Sequence, residues 1–369
     1  MTASGHSRGL NILHIDPERN WGGGEAQVFG LLSYLAQQGH RNDLLTHPHG
    51  RLFKQSQGLN IRTFPLIVRN DLDLRPVPHL RRLIGHGDYD IVHLHTKRAH
   101  ALAFWLPHKS PRPKYVVTRR MDYPESNNWY TRCLYNRKVD GVVAISQRIY
   151  ELLIEAGVKC DGIRLIHSGV DPRLYEAAAK GLGPRSERIV VGTVAVLEER
   201  KGHRWLLEAA RRLKEQGYQI SYRLAGAGSQ KKSLEATAQQ LGLQEDVQFL
   251  GFVSDVPSFL ADVDVVVLPS LFEGLGVAVL EAMAAGKAVV ASRAGGLPKL
   301  VIDATTGFLV EPRDVAGLAD AIAKLAHDRN LIRTMGQKGR ERLEESFTME
   351  QMARKNEDYY YCLVQSAGN

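Results

Sequence analysis

Strand-forming and helix-forming segments alternate along this chain in two successive series, and that doubled alternation limits the fold more than any single motif does. The first series of short apolar runs comprises Leu10 to Asp16, Ile91 to His95, Tyr115 to Thr118, Val142 to Ile145 and Ile163 to His167. After the first of these, residues from about Gly24 to Gln38 carry Val28, Leu31, Leu32 and Leu35 on one helical face, with Gly39 beyond the end as a stop. The second series comprises Ile189 to Val194, Ser221 to Ala225, Val247 to Leu250, Val263 to Leu268 and Ala288 to Ala291. Alternation of this kind predicts an α/β chain with two parallel, helix-flanked sheets. A length of 369 residues also exceeds what one hydrophobic core usually holds. We therefore expect a first domain over 1–175, a connection over 176–188, a second domain over 189–346 and a closing segment over 347–369. The connection is Ala-, Gly- and Lys-rich without a helical period. The closing segment contains a helical stretch, Met349 to Val364, with Tyr359, Tyr360, Tyr361 and Leu363.

The strongest chemical signal lies from Phe272 to Met283, where Glu273 and Glu281 stand eight residues apart across Gly274-Leu275-Gly276. The buried-strand run before it stops at Pro269. The positions after it, Val277, Leu280, Met283 and Ala284, have helical spacing, and Gly286 is a plausible end. Such a strand-to-helix turn lies at the carboxyl edge of a sheet, where open α/β folds bind ligands. Glu273 is then on the turn and Glu281 about two turns into the helix. A carboxylate can hold two neighbouring sugar hydroxyls, and free N–H groups at the helix start near Leu275 to Val277 favour phosphate. A pyrophosphate with a sugar at each end fits between two such acids. The plainer reading makes Glu273 a cap and Glu281 a solvated helix residue.

A second loop, Gly22-Gly23-Gly24-Glu25, follows the first strand and opens the first helix. Its glycines permit close approach of a ligand. The dinucleotide fingerprint fails here, because positions 25 to 27 are Glu, Ala and Gln.

These two motifs, together with Ser168-Gly169-Val170-Asp171, Arg200-Lys201-Gly202, Gly226-Ala227-Gly228 and Gly295-Gly296-Leu297-Pro298, occur in an order and spacing that resembles the family 4 glycosyltransferases. The resemblance spans nearly the whole chain. It implies the GT-B fold: two Rossmann-like parallel-sheet domains, an acceptor-binding one first and a nucleotide-sugar-binding one second, with an interdomain cleft and a C-terminal helix that crosses back. The activity implied is retaining transfer of a sugar from a nucleotide-diphosphate sugar to an acceptor hydroxyl, by front-face attack. No cofactor is implied beyond that donor substrate, and no obligatory metal.

Residue roles follow from the same resemblance. Lys201 balances charge on the departing diphosphate. The family usually places an Arg five residues before that Lys, but this chain has Val196 there, so Arg200 is the candidate replacement. Glu273 holds the transferred sugar and Glu281 the ribose, with Gly274, Leu275 and Gly276 at the phosphates. Gly23, Gly24 and Gly228 line the donor, and backbone near Phe252 and Val253 meets the base. Glu25, His95 and Arg119 stand on the acceptor side. Relatives often carry a His after the strand that ends at Thr118. Here the chain reads Thr118-Arg119-Arg120, and Arg120 at that site suits an anionic group because arginine stays charged. Lys299 stands where an acid is common.

Other features narrow the partners. The net charge of +8 favours anionic partners. Between Arg112 and Lys138, seven basic residues face two acids, interleaved with Tyr115, Tyr123, Trp129, Tyr130 and Tyr135. That mixture suits peripheral contact with an anionic inner membrane, or equally a solvated face over core aromatics. No nucleic-acid-binding motif is recognisable. His93 and His95 project to one face of a strand, without a third ligand at recognisable spacing. Asp71-Leu72-Asp73 and Asp262-Val263-Asp264 are chance-level metal triplets. No run approaches the ~20 apolar residues of a membrane span, and Met1 to Gly9 has no signal-peptide core. Cys133, Cys160 and Cys362 show no pairing pattern. The expected setting is the cytoplasm, at or near the inner membrane face, with a glycan or lipid-linked acceptor of the bacterial envelope such as lipopolysaccharide or exopolysaccharide. Rival readings are a GT-B-shaped sugar-nucleotide epimerase and a non-catalytic sugar-nucleotide-binding subunit.

Overall fold

Every strand pair in the computed structural model, which describes residues 8–107, 113–180 and 188–366, is parallel. Arg112 of the basic stretch and positions 181–187 of the expected connection lie outside the described residues. The first sheet contains β1 (Asn11–Asp16), β2 (Arg41–Thr46), β3 (Arg62–Pro65), β4 (Ile91–Leu94), β5 (Lys114–Arg119), β6 (Gly141–Ala144) and β7 (Ile163–Leu165), in the order β3-β2-β1-β4-β5-β6-β7. The second contains β8 (Ile189–Val194), β9 (Ile220–Ala225), β10 (Val247–Gly251), β11 (Val265–Leu268), β12 (Ala288–Ser292) and β13 (Gly307–Val310), in the order β10-β9-β8-β11-β12-β13. The strand order reverses between β1 and β4 in one sheet and between β8 and β11 in the other. Loops diverge at such a switch point and leave a crevice beyond the carboxyl ends of the strands.

The strands that the sequence pattern did not reveal are β2, β3 and β13. In β2 the residues Asn42 and Asp43 are buried, Asp43 because Arg62 and the hydroxyl of Tyr89 satisfy its carboxylate. A polar pair inside a strand hides the apolar signature. The other two are four-residue strands at sheet edges.

The chain divides into two units, one comprising Met1–Ser168 with Met349–Asn369 and the other Gly169–Thr348. The first boundary therefore falls earlier than the expected 175. Val170 N–H donates to the Phe347 carbonyl at 3.0 Å and pairs with Thr348 in a parallel bridge, which fastens the segment after Gly169 to the second unit. Within the expected connection, Glu176–Lys180 is a helical turn packed against the helix Val256–Ala261, not an open linker. The closing helix, Met349–Gln365, belongs to the first unit. It lies on the helix Gly23–Gln37, buries Tyr359, Tyr360 and Tyr361, and presents Glu357 to His40 Nε2 at 2.8 Å and to the donating hydroxyl of Tyr34 at 3.0 Å. Among the described residues, no helix is long and apolar enough to cross a membrane.

Candidate active site

In the second unit the loops after β8 and β11, which flank the switch point, meet at their bases. Gly202 makes this possible. It sits at φ +69°, and a Cβ there would lie 1.9 Å from the Pro269 carbonyl oxygen, so only glycine lets the two loops touch. Leu271 N–H also donates to the Arg200 carbonyl at 2.7 Å. Lys201, held in the turn Glu199–Lys201, thereby reaches Glu273, and their side chains form an ion pair with each 11% exposed. Ser270 O–H donates to the same Glu273 oxygen, Oε2, at 3.2 Å. Ser270 was not among the expected site residues. Arg200 behaves differently, since its side chain turns to Glu198 at 2.7 Å. Val196, at the family's usual Arg position, is 42% exposed and adds no charge.

The helix Val277–Ala284 starts at Gly276, whose φ of +101° and whose contact with Leu297 both exclude a side chain. Gly274, Leu275 and Gly276 form the turn into it, and Glu281 lies in its second turn. Burial carries the Glu281 carboxyl up to about 7, opposed by the hydroxyl of Tyr175, which donates to Oε1 at 3.1 Å. Tyr175 closes the turn Pro172–Tyr175 and is 5% exposed. Gly228 has a structural explanation of its own, because a Cβ there would lie 2.3 Å from the Leu197 carbonyl oxygen. Phe252, just past β10, is 59% exposed, and Val253 is half-buried beside it.

In the first unit, Asp16 ends β1, Glu25 lies in the first turn of the helix Gly23–Gln37, and Arg120 follows β5. Gly22 N–H donates to Glu25 Oε2 at 2.7 Å. A Cβ on Gly24 would stand 3.5 Å from Arg120 Cδ, so the glycine loop lies against the arginine stem. Burial and the charge of Glu25 raise the Asp16 carboxyl to about 7, while burial also raises Glu25 and lowers Arg120. The Arg120 guanidinium makes no ion pair or hydrogen bond with a described residue, although the charges of Asp16 and Glu25 act on it. A small cavity lined by Gln27, His93, Thr118, Arg120 and Asn356 adjoins it. The sequence did not single out Asp16, which the structure sets in the electrostatic reach of Glu25 and Arg120; an acid at the end of the first strand, just before a glycine loop, was the available signal.

Two acceptor-side expectations are corrected. Arg119 is 4% exposed, pairs with Glu125 at 2.8 Å and donates to the Tyr123 carbonyl at 2.9 Å. As the last residue of β5 it is buried, and these two partners engage its guanidinium. His95 is 1% exposed and lies within a histidine cluster. The third residue that the sequence did not show is His14, opposite His93 in the β1–β4 register. Ring nitrogens of His14, His93 and His95 lie within 4.8 Å of one another. Those nitrogens are already engaged: His14 Nδ1 with His95 Nε2 at 3.0 Å, His14 Nε2 with Asn42 Oδ1 at 3.3 Å, and both nitrogens of His93 with Tyr360 and Thr118. His95 Nδ1 alone has no hydrogen-bond partner among the described residues. Burial holds all three rings well below their ordinary pKa, and the nearby charge of Arg120 adds to this for His93 and His95. The donor set fits a neutral hydrogen-bonded cluster better than a cation site.

The basic and aromatic stretch divides. Tyr115 and Tyr135 are core residues, whereas Trp129 is 65% exposed and Tyr130 43%. Trp105, Trp129 and Tyr130 all contact the Phe104 ring, and Lys138 stands over that ring at 5.3 Å.

Comparison with known proteins places these features in context. The family described as "Glycosyltransferase Family 4" matches residues 21–174, and "Glycosyl transferases group 1" matches 175–342. EpsD of Bacillus subtilis (strain 168), named as a glycosyltransferase, is 30% identical over 304 residues, covering 74% of this chain and 78% of EpsD. The lipopolysaccharide core biosynthesis glycosyltransferase LpsE of Rhizobium meliloti (strain 1021) is 31% identical over 255 residues, covering 68% and 72%. The crystal structure of Anabaena Alr3699/HepE in complex with UDP-glucose superposes with a TM-score of 0.82 at 24% identity, covering 96% of this chain and all of that one.

Proposed function

The chain belongs to the family 4 glycosyltransferases, and from that premise we propose that it moves a sugar, with retention of anomeric configuration, from a nucleotide-diphosphate sugar to an acceptor hydroxyl. The observation that carries this reading is the Lys201–Glu273 pair at the β8–β11 switch point. A cation and a carboxylate side by side suit a diphosphate leaving group and the sugar attached to it. Lys201 neutralises charge as the bond to the anomeric carbon breaks, and amides at the start of the helix Val277–Ala284 help on the same side. Glu273 orients the sugar through its hydroxyls, and Glu281 holds the ribose. The acceptor hydroxyl attacks from the face that the diphosphate leaves, and its proton passes to that diphosphate. Positioning then supplies much of the rate, because no nucleophile has to be formed. Arg200, turned to Glu198, is a secondary cation that must leave that partner to contribute.

The acceptor belongs to the first unit in this proposal. Glu25 accepts hydrogen bonds from it, and Arg120 binds an anionic group such as a phosphate or carboxylate. Envelope glycan synthesis is the setting suggested by relatives such as LpsE, and the exposed aromatic group around Phe104 supports contact with an anionic membrane surface. Departure of the diphosphate needs no metal in this proposal, since Lys201, shared with Glu273, supplies a fixed charge beside it.

The test is incubation of a lipid-linked or oligosaccharide acceptor with a panel of nucleotide sugars, read by mass and by the anomeric coupling of the product. A hexose-sized mass gain with retained configuration, undiminished by EDTA, supports the proposal. Inversion, a requirement for added manganese or magnesium, or epimerised donor without transfer overturns the corresponding part of it.

A further inference from the structure

The segment Gly169–Tyr175 folds with the second unit, and that places a tyrosine hydroxyl on the carboxylate assigned to the ribose. We infer that Tyr175 is a positioning residue of the donor site, holding Glu281 in the orientation that distinguishes a ribonucleotide from its 2′-deoxy counterpart. The inference rests on the reading of Glu281 as the ribose-binding acid.

The geometry supports it in three ways. Tyr175 O–H donates to Glu281 Oε1 at 3.1 Å, and Oε2 has no hydrogen bond among the described residues. One oxygen is thus fixed by the protein and the other left for a ligand, which is the arrangement a hydroxyl-reading carboxylate needs. Second, the tyrosine itself is fixed. Asp171 accepts from Arg173 N–H at 3.0 Å to cap the turn Pro172–Tyr175, and the Val170–Thr348 bridge anchors its start. Third, the ring is buried against the helix that carries Glu281, so its hydroxyl has little freedom to turn elsewhere.

A glutamate side chain has three rotatable bonds, and an unheld carboxylate in this position would sample several orientations. A donor on one oxygen reduces that set before the nucleotide arrives, so less ordering remains to be done on binding. Loss of the hydroxyl should weaken recognition of the ribose 2′-hydroxyl while leaving base and phosphate contacts in place. Mere packing by the tyrosine ring predicts something else: equal weakening for both forms of the nucleotide, or none.

The experiment uses the full chain. Calorimetry first finds the tightest binder among UDP, GDP, ADP and CDP, and then compares it with its 2′-deoxy form for wild type, Tyr175→Phe and Glu281→Gln, with melting measured for each. Phenylalanine keeps the ring, so the fold should persist. We expect the wild type to prefer the ribonucleotide at least about tenfold, as fits loss of one hydrogen bond to a charged group. Glu281→Gln should remove most of that preference. Tyr175→Phe should narrow it roughly three- to tenfold with the 2′-deoxy affinity nearly unchanged. An unchanged preference in Tyr175→Phe, or equal losses for both nucleotides, overturns the positioning role while Glu281→Gln still validates the ribose contact. If Glu281→Gln leaves the wild-type preference intact, the ribose reading itself falls, and the role of Tyr175 falls with it.

Discussion

Lys201 and Glu273 occupy loops from two adjacent strands, 72 residues apart in sequence, and meet as a buried ion pair shared with the hydroxyl of Ser270. A pair held this far from water is sensitive to the loss of one member, because the survivor keeps its desolvation cost without its partner.

Lys201→Met should therefore destabilise the protein by about 3–5 kcal/mol in addition to abolishing turnover. The double variant Lys201→Met/Glu273→Gln should recover much of that stability but none of the activity. Urea unfolding of both single variants and the double decides the matter, and strictly additive losses would contradict the pairing.

The pH dependence of nucleotide binding should report Glu281. Its carboxyl is raised to about 7 by burial, so the charged form, to which the proposed function assigns the ribose hydroxyls, grows as pH rises from about 6 to 8. Nucleotide affinity should increase over that interval. Glu281→Gln should weaken binding roughly tenfold or more at pH 8 and flatten this component, whereas Glu273→Gln should mainly lower kcat. Calorimetry at several pH values distinguishes them, with the ionisation of the nucleotide phosphate common to all variants.

Asp16 makes an opposite prediction for stability. A carboxyl whose folded pKa is raised to about 7 contributes stability fully below its unfolded value near 3.8 and loses it as pH climbs through 7. Asp16→Asn should thus gain on the wild type between pH 5 and pH 8, by on the order of 1–4 kcal/mol. Denaturant midpoints at the two pH values test this, and a constant difference would rule it out.

Arg120→Ala should lower kcat/KM at least about tenfold, with only partial rescue by lysine because a point charge cannot reproduce the paired contacts of a guanidinium. Lys114, paired with Asp140 at 3.2 Å, is the control cation. Should the two alanine variants behave alike and both effects fade in salt, Arg120 is a general surface charge rather than a ligand contact.

Replacing Trp129 and Tyr130 together by alanine should reduce binding to vesicles containing anionic lipid by about tenfold without altering transfer to a soluble acceptor. Co-sedimentation with anionic and neutral vesicles gives the comparison. Equal sedimentation of wild type and variant would remove the membrane role of this surface.

Much of this architecture was legible because parallel strands buried on both faces appear as unbroken apolar runs. The runs ending at Asp16 and Leu268 each point to a loop at a sheet's switch point, and the helix after Gly276 carries its own start and stop. What stayed hidden depends on partners distant in the chain. Tyr175 meets Glu281 across 106 residues, and His14 meets His95 across 81, so no local spacing announces either contact. Arg119 and Arg120 show the same limit at closer range. Adjacent in sequence, they differ in their surroundings: Glu125 and the Tyr123 carbonyl hold Arg119, whereas the stem of Arg120 lies beside Gly24. The strand β2 was concealed because Asp43 is tolerated in the interior by Arg62 and Tyr89.

The positions at which the chain leaves and re-enters its first unit have a practical consequence for recombining this protein with relatives. An exchange cut at residue 176 would transplant Glu281 with a foreign tyrosine position behind it, leaving Tyr175 on the wrong parent. An exchange of 169–348 moves the carboxylate, its hydroxyl donor and the Val170–Thr348 bridge as one inherited block, and leaves the closing helix with the sheet it covers.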